Sequence, residues 1–188
     1  MTTRTLARLA SPILLVLAAI LPASAARATL APDAPPPLVA VFPIEIADTS
    51  GEPPNPQWPE RVAAVTHELA RQLAASGQYR EIELPSATGQ PGDTRPVYRC
   101  DGCWRASARA AGADAVAIAV VHKTSTLISS LHIWLLDVAT QQTLRRGAVS
   151  LRGDTEEAWR RAVDFLLRRG ILNTDTSQPL LSSPFPGG

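Results

Sequence analysis

Apolar positions follow three rhythms along this chain, and each predicts a different kind of element. From Leu38 to Ile46 the sequence LVAVFPIEI is almost continuously apolar, the pattern of a strand buried on both faces. Pro43 lies inside it without an N–H to donate, so the strand must there meet an edge, a bulge or a side-chain partner. From Glu60 to Ser76 the period lengthens: Val62, Val65, Leu69 and Leu73 make a helical stripe, with Pro59 suited to the first helical position and Gly77 just past the end. His67 lies off that stripe. Tyr79 to Leu84 (YREIEL) then alternates in period two and predicts a half-buried strand.

The second half repeats these rhythms. Small residues Ala106, Ala110 and Ala111 predict a helix starting near Cys103 and ending at Gly112, able to lie close to a sheet. Ala115 to Val121 is again a wholly apolar strand, running on into His122-Lys123-Thr124-Ser125. Leu127 to Val138 and Leu144 to Leu151 follow as strands, separated by the turn residues Ala139 to Gln142, so these three segments predict an antiparallel meander. Asp154 is placed to cap a last helix, with Glu157 completing a capping box and Trp159, Val163, Leu166 and Leu167 on its buried face. Arg168 and Arg169 favour the negative carboxyl end of that helix before Gly170 stops it. The order β-α-β-α-β-β-β-α predicts one mixed sheet of about five strands with covering helices. The fold class is α/β, or α+β, according to whether the first strands pair in parallel, as a right-handed crossover favours.

Proline and glycine divide the rest. Residues 29–37 are Ala/Pro-rich, with Pro35, Pro36 and Pro37 in a row, and predict an extended tether. The loop from Asp48 to Trp58 is long and proline-dense, the loop from Pro85 to Val97 rich in turn residues, and 171–188 reads as a disordered tail. The predicted domain is therefore 38–170, one core's worth of chain.

The amino terminus supplies an address. Arg4 and Arg8 precede an apolar run from Ile13 to Leu21, followed by Pro22 and the small residues 23–28, the form of a secretory signal peptide over residues 1–28. The run is too short for a bilayer, which needs roughly 20 apolar residues. Cleavage is expected after Ala25 or Ala28, leaving no stable membrane anchor and a periplasmic or secreted protein. Cleavage after Ala28 removes three arginines from 18 basic residues and leaves all 17 acidic ones, a net charge of −2. Lys123 is the one lysine, and no basic cluster exceeds a pair, which argues against a nucleic-acid partner.

Arg99-Cys100-Asp101-Gly102-Cys103-Trp104 holds both cysteines. In an oxidising compartment a structural disulfide is the first expectation, worth about 1 to 2 kcal/mol for so short a loop. A redox-active pair is the second, since Cys103 near a helix amino terminus would have its thiolate favoured. Trp104 nonetheless follows the second cysteine rather than preceding the first, and the pair follows a proline-rich loop instead of a strand. Metal binding is third, because further ligands could come only from His67, His122 and His132. A CxxCH haem site is excluded by Trp104. A triad of Ser125, His122 and Asp137 lacks the Gly-x-Ser-x-Gly elbow, and Glu45 with Asp48, or Asp137 with Asp154, form carboxylate pairs in name alone. No phosphate loop is present, no cofactor is expected, and no metal site is assigned. Lys123, Ser125 and Trp134 are candidate contacts for a protein partner, Trp134 competing with a place in the core.

Four spaced features, Cys100-Asp101-Gly102-Cys103, Gly112-Ala113-Asp114, Lys123-Thr124-Ser125 and Arg152-Gly153-Asp154-Thr155-Glu156 through Trp159, resemble an uncharacterised bacterial secreted family, a domain of unknown function. That family resembles, more distantly, the amino-terminal domain of TolB, and its members are often encoded beside quinoprotein alcohol dehydrogenases. The resemblance implies a periplasmic accessory or assembly role with a protein partner, and transfers no catalytic residues. The leading expectation is thus a binding module rather than an enzyme, the alternative a thiol-disulfide oxidoreductase using Cys100 and Cys103. Oligomeric state is not legible in the sequence.

Overall fold

A computed structural model describes residues 34–84 and 95–173. The expected signal peptide, most of the tether, most of the loop after Leu84, and the tail from residue 174 lie outside the described residues. The expected mixed sheet is present, and its first strand is two. β1 (Leu38–Val41) and β2 (Glu45–Asp48) both run parallel to β4 (Ala115–Lys123). Val41 faces Ala117 and Glu45 faces Val120, so three residues on one side of the break oppose two on the other. Pro43 is the reason: without its N–H the ladder cannot continue, and one extra residue is looped out. The donors on either side are still satisfied. Phe42 N donates to Ala117 O at 3.0 Å, and Ile44 N donates to Thr66 Oγ1 at 2.9 Å on α1 (Trp58–Ala75).

β3 (Arg80–Ile82) returns parallel to β1 on its other side. After a 3-10 turn (Val97–Arg99) and α2 (Arg105–Ala111), β4 enters the centre of the sheet. β5 (Ile128–Asp137) and β6 (Thr143–Arg152) complete the antiparallel meander. The order across the sheet is β3-β1-β4-β5-β6, with β2 beside β4 beyond the end of β1. β4 is buried along nearly its whole length, as its unbroken apolar pattern requires.

Helices cover the two faces unequally. On one face α1 and α3 (Glu156–Leu166) bury Val65, Leu69, Leu73, Trp159, Val163 and Leu166 against Ala117, Ala119, Ile133 and Leu135. Gly147 on β6 allows this approach, since a Cβ there would lie 3.0 Å from Leu166 Cδ2. On the other face the short α2 and the 3-10 turn bring Tyr98, Cys100, Trp104 and Ala108 onto Phe42, Val116, Ile118 and Trp134.

Two details of the last helix differ from expectation. Thr155, not Asp154, is its N-cap: the Thr155 hydroxyl accepts from Ala158 N at 3.2 Å, which moves Glu157 off the capping-box position. The chain also passes Gly170 without stopping, closing in a π-helical turn (Leu167–Ile171) that puts Ile171 in the core at 2 % exposure.

Candidate functional site

The carboxyl ends of β2 and β4 meet the amino ends of α1 and α3 and the turn between β4 and β5. In open sheets with parallel strands this end is where ligand sites form. Here it is filled by two polar clusters, both built on the long loop after β2. Asp154 accepts from Asn55 Nδ2 at 3.0 Å, from Trp58 Nε1 at 2.9 Å and from Arg61 at 2.5 Å. Arg61 is 5 % exposed and stacks over the Trp159 ring at 5.3 Å. Burial pushes the Asp154 carboxyl up, but the bonds from Asn55 and Trp58 and the Arg61 charge outweigh it, and its pKa is lowered.

In the second cluster Lys123 Nζ donates to Glu52 at 2.5 Å and to Ser50 Oγ at 3.0 Å, and lies 5.8 Å from the Trp58 ring. Thr126 donates to the same carboxylate. These bonds lower the Glu52 pKa and raise that of Lys123. Asp48 is lowered by the hydroxyl and amide of Ser50. Thr49 donates its hydroxyl to Lys123 O at 3.1 Å, which leaves His122 Nε2 as the donor in its 2.9 Å contact with Thr49 Oγ1.

Lys123 is thus a buried tie rather than an open charge, at 5 % exposure. Ser125 sits in the β4–β5 turn, where its hydroxyl accepts from Ile128 N and its amide donates to Ile128 O, each at 3.2 Å. Leu127 and Ile128 are thereby held out at 70 % and 60 % exposure. Trp134 is 7 % exposed, in the core beneath α2, and stacks on His132 with ring centroids 5.7 Å apart. Cys100 and Cys103 are bonded, with Cα atoms 5.6 Å apart. Cys100 is fully buried, and Gly102 between them takes φ +74° where a Cβ would meet Gln141 Oε1 at 2.8 Å.

The register separates the remaining candidates. Asp137 pairs with Ala115 and His122 with Ser130, seven residues apart along β4, roughly 23 Å at strand rise, so the triad is not assembled. Glu45 accepts from Val97 N and Tyr98 N and ties the 3-10 turn to β2. Asp137 accepts from Thr140 within its own turn. His122 and His132 share a sheet face on neighbouring strands, and His132 titrates low because of burial and the nearby His122. Among the described residues no three His, Cys, Asp or Glu side chains converge as metal ligands. No described helix is long and apolar enough to cross a membrane. His67 lines a groove of about 460 Å³ between α1 and β3, with Val41, Val62, Glu81 and Ile82.

Sequence reasoning missed Arg61 and Glu52, since a lone arginine in a helix and a glutamate in a turn carry no local mark of burial. It also passed over Leu127 and Ile128. An apolar pair directly after a Thr/Ser turn was the available signal.

Fold and site together define a small mixed-sheet module whose charged clusters are tied up in its own structure and whose open features lie at strand ends and edges. Residues 37–171 match the model of the family described as "Protein of unknown function (DUF2380)", and the chain belongs to that family. No curated protein matches it. Similar solved structures include the LpoB C-terminal domain from Salmonella enterica, at 14 % identity over 61 % of this chain and 82 % of that one, with a TM-score of 0.43. Lipoprotein GNA1162 from Neisseria meningitidis is 20 % identical over 75 % of this chain and all of that one, TM-score 0.48. TolB from Acinetobacter baumannii is 18 % identical over 70 % of this chain and 26 % of that one, TM-score 0.37. At such scores these likenesses carry no argument about function.

Proposed function

We propose that the chain is a non-enzymatic binding or assembly module of the bacterial envelope, which docks a protein partner in the periplasm through the tip of its β4–β5 hairpin. The observation that supports this is the pair Leu127 and Ile128, 70 % and 60 % exposed on a turn fixed by Ser125 and by the Lys123–Glu52–Thr126 bonds. Apolar side chains held rigidly in water are costly unless covered in use, and a pre-ordered loop loses little entropy on binding. In this reading Lys123 and Ser125 shape the tip, and Trp134 supports the sheet beneath it. The apolar leader is the support for the compartment. Service to a quinoprotein dehydrogenase system rests on the sequence resemblance alone. Oxidoreductase chemistry at Cys100 and Cys103 is the weaker reading: Cys100 is fully buried, so attack could come only at the half-buried Cys103 sulfur, and the pair follows a 3-10 turn rather than a strand.

A photo-crosslinking amino acid at position 127, in cells making the full chain, tests the proposal. The expected result is one discrete adduct, lost with Ile128→Asp and missing when the label sits at exposed Arg71. Equal labelling from both positions, or none from 127, overturns it.

A further inference from the structure

The groove of about 460 Å³ between α1 and β3 exists because α1 turns small side chains, Ala63, Thr66 and Ala70, toward a strand that ends after three residues. Its lining is apolar at Val41, Val62, Ile82 and Leu84, while Glu81 and Glu83 place two exposed carboxylates along its β3 side. None of the described ion pairs uses either carboxylate. Arg80, next to them in sequence, is turned to Pro36 O, to which its Nε donates at 3.1 Å. Across the groove, His67 on α1 is the other titratable group of the lining. The groove thus combines an apolar floor with negative charge.

The β4–β5 tip has the opposite character. Beside Leu127 and Ile128, 70 % and 60 % exposed, stands Arg152, which pairs across the ladder with Ile128 at a Cβ separation of about 5 Å. Arg152 is exposed, and none of the described ion pairs uses it. The carboxylates of the adjoining clusters are engaged elsewhere: Glu52 by Lys123 and Thr126, Asp48 by Ser50, Asp154 by Arg61. The tip therefore offers two aliphatic side chains and a cation, the complement of the groove. The two cannot meet within one chain. β4 and β5 pair up to Lys123 and Ser129, which leaves the tip no hinge, and β1 stands between β4 and β3 in the sheet.

We infer that the tip of one copy docks in the α1–β3 groove of a second copy of this chain. Leu127 and Ile128 leave water over Val41, Val62 and Ile82, and Arg152 meets Glu81 and Glu83 at the rim. A patch and its complementary pocket at different places on one molecule make a contact between unlike surfaces, which can repeat from copy to copy. A contact carried by one hairpin tip buries less than the roughly 1,200 Å² of a stable complex, and the association is therefore weak, with a dissociation constant on the order of 100 µM. The inference rests on the proposed docking role of the tip and names the partner as the chain itself.

Two variants of the mature protein test it by sedimentation: Ile128→Asp, which spoils the tip and keeps the groove, and E81K/E83K, which does the reverse. Wild-type chain is expected to associate as its concentration rises, and each variant alone to associate about tenfold more weakly or not at all. An equimolar mixture of the two should regain association as a one-to-one pair, because one chain still brings a tip and the other a groove. Misfolding or general stickiness would not produce that recovery. R152E should weaken association alone and recover it when mixed with E81K/E83K. E81Q/E83Q guards against misfolding of the charge-reversed groove and should weaken association while still accepting no tip better than wild type does. Variants that associate like wild type, or a mixture no more associated than its components, overturn the inference. A crosslink from position 127 to a different protein, with the pure chain monomeric, also removes it and leaves the proposed function standing. Absence of any crosslink in cells, with purified chains still pairing tip to groove, does the converse.

Discussion

Asp154 shows how a single side chain can change role between sequence and structure. Its position before a helix reads as a cap, yet Thr155 takes that duty and Asp154 turns inward to Arg61, Trp58 and Asn55. Removing it leaves the Arg61 guanidinium, 5 % exposed beside Trp159, without its carboxylate, and Trp159 Nε1 is itself buried with no hydrogen-bond partner among the described residues. Breaking a buried pair in this way costs far more than the pair contributes. Asp154→Ala is expected to destabilise the domain by about 3 kcal/mol in urea unfolding, allowing for the carboxylate's partial exposure. The double variant R61M/D154L, which leaves no orphaned charge, should lose less. A double variant as unstable as Asp154→Ala would show that the cost lies in packing instead.

At the scale of elements, the break between β1 and β2 depends on one bond from outside the sheet. Ile44 N, on a residue 2 % exposed, donates to Thr66 Oγ1 on α1, so a helix completes what Pro43 interrupts in a strand. Thr66→Val keeps the shape and removes the acceptor, and should cost about 1 to 3 kcal/mol, the penalty of a buried unsatisfied amide. Hydrogen exchange at Ile44 should quicken in the variant. A Thr66→Ser protein with wild-type stability would confirm that the hydroxyl, and not the methyl group, is what matters. The same local economy governs the cysteines: their bond fixes the short α2 and the 3-10 turn, elements with little internal stability of their own.

For the whole molecule, the titrating groups set a pH profile with two steps. His132 has a lowered pKa, because burial and then His122 disfavour its charged form. The unfolded chain takes up that proton near pH 6.5, before the folded one does, so stability falls as pH drops below about 6.5. The carboxylates act lower down. Glu68 is held at about 2 by Arg71 and Gln72, and Asp154, Glu52, Asp48 and Asp137 are also lowered. Their stabilisation is complete above the unfolded carboxylate values near 4 and is lost as pH falls through the folded ones. Urea midpoints from pH 3 to 8 should show both declines. His132→Gln should erase the upper step alone, and a profile unchanged by that substitution would remove His132 from the account.

The chain's apolar rhythms by themselves determined which segments are strands and helices, the antiparallel meander of β4 to β6 and the double burial of β4, because side-chain periodicity is a local property. Pro43 announced a fault in the first strand and Gly112 the end of α2, since missing donors and left-handed turns are also local. Tertiary structure decided the rest. That the fault is a one-residue bulge satisfied by Thr66, that Lys123 and Arg61 are buried ties, and that Trp134 lies under α2 all depend on residues far apart in sequence meeting at one end or one face of the sheet. The exposed Leu127–Ile128 tip, too, is placed only once the sheet has an order, because a turn projects from a sheet only when its strands have neighbours.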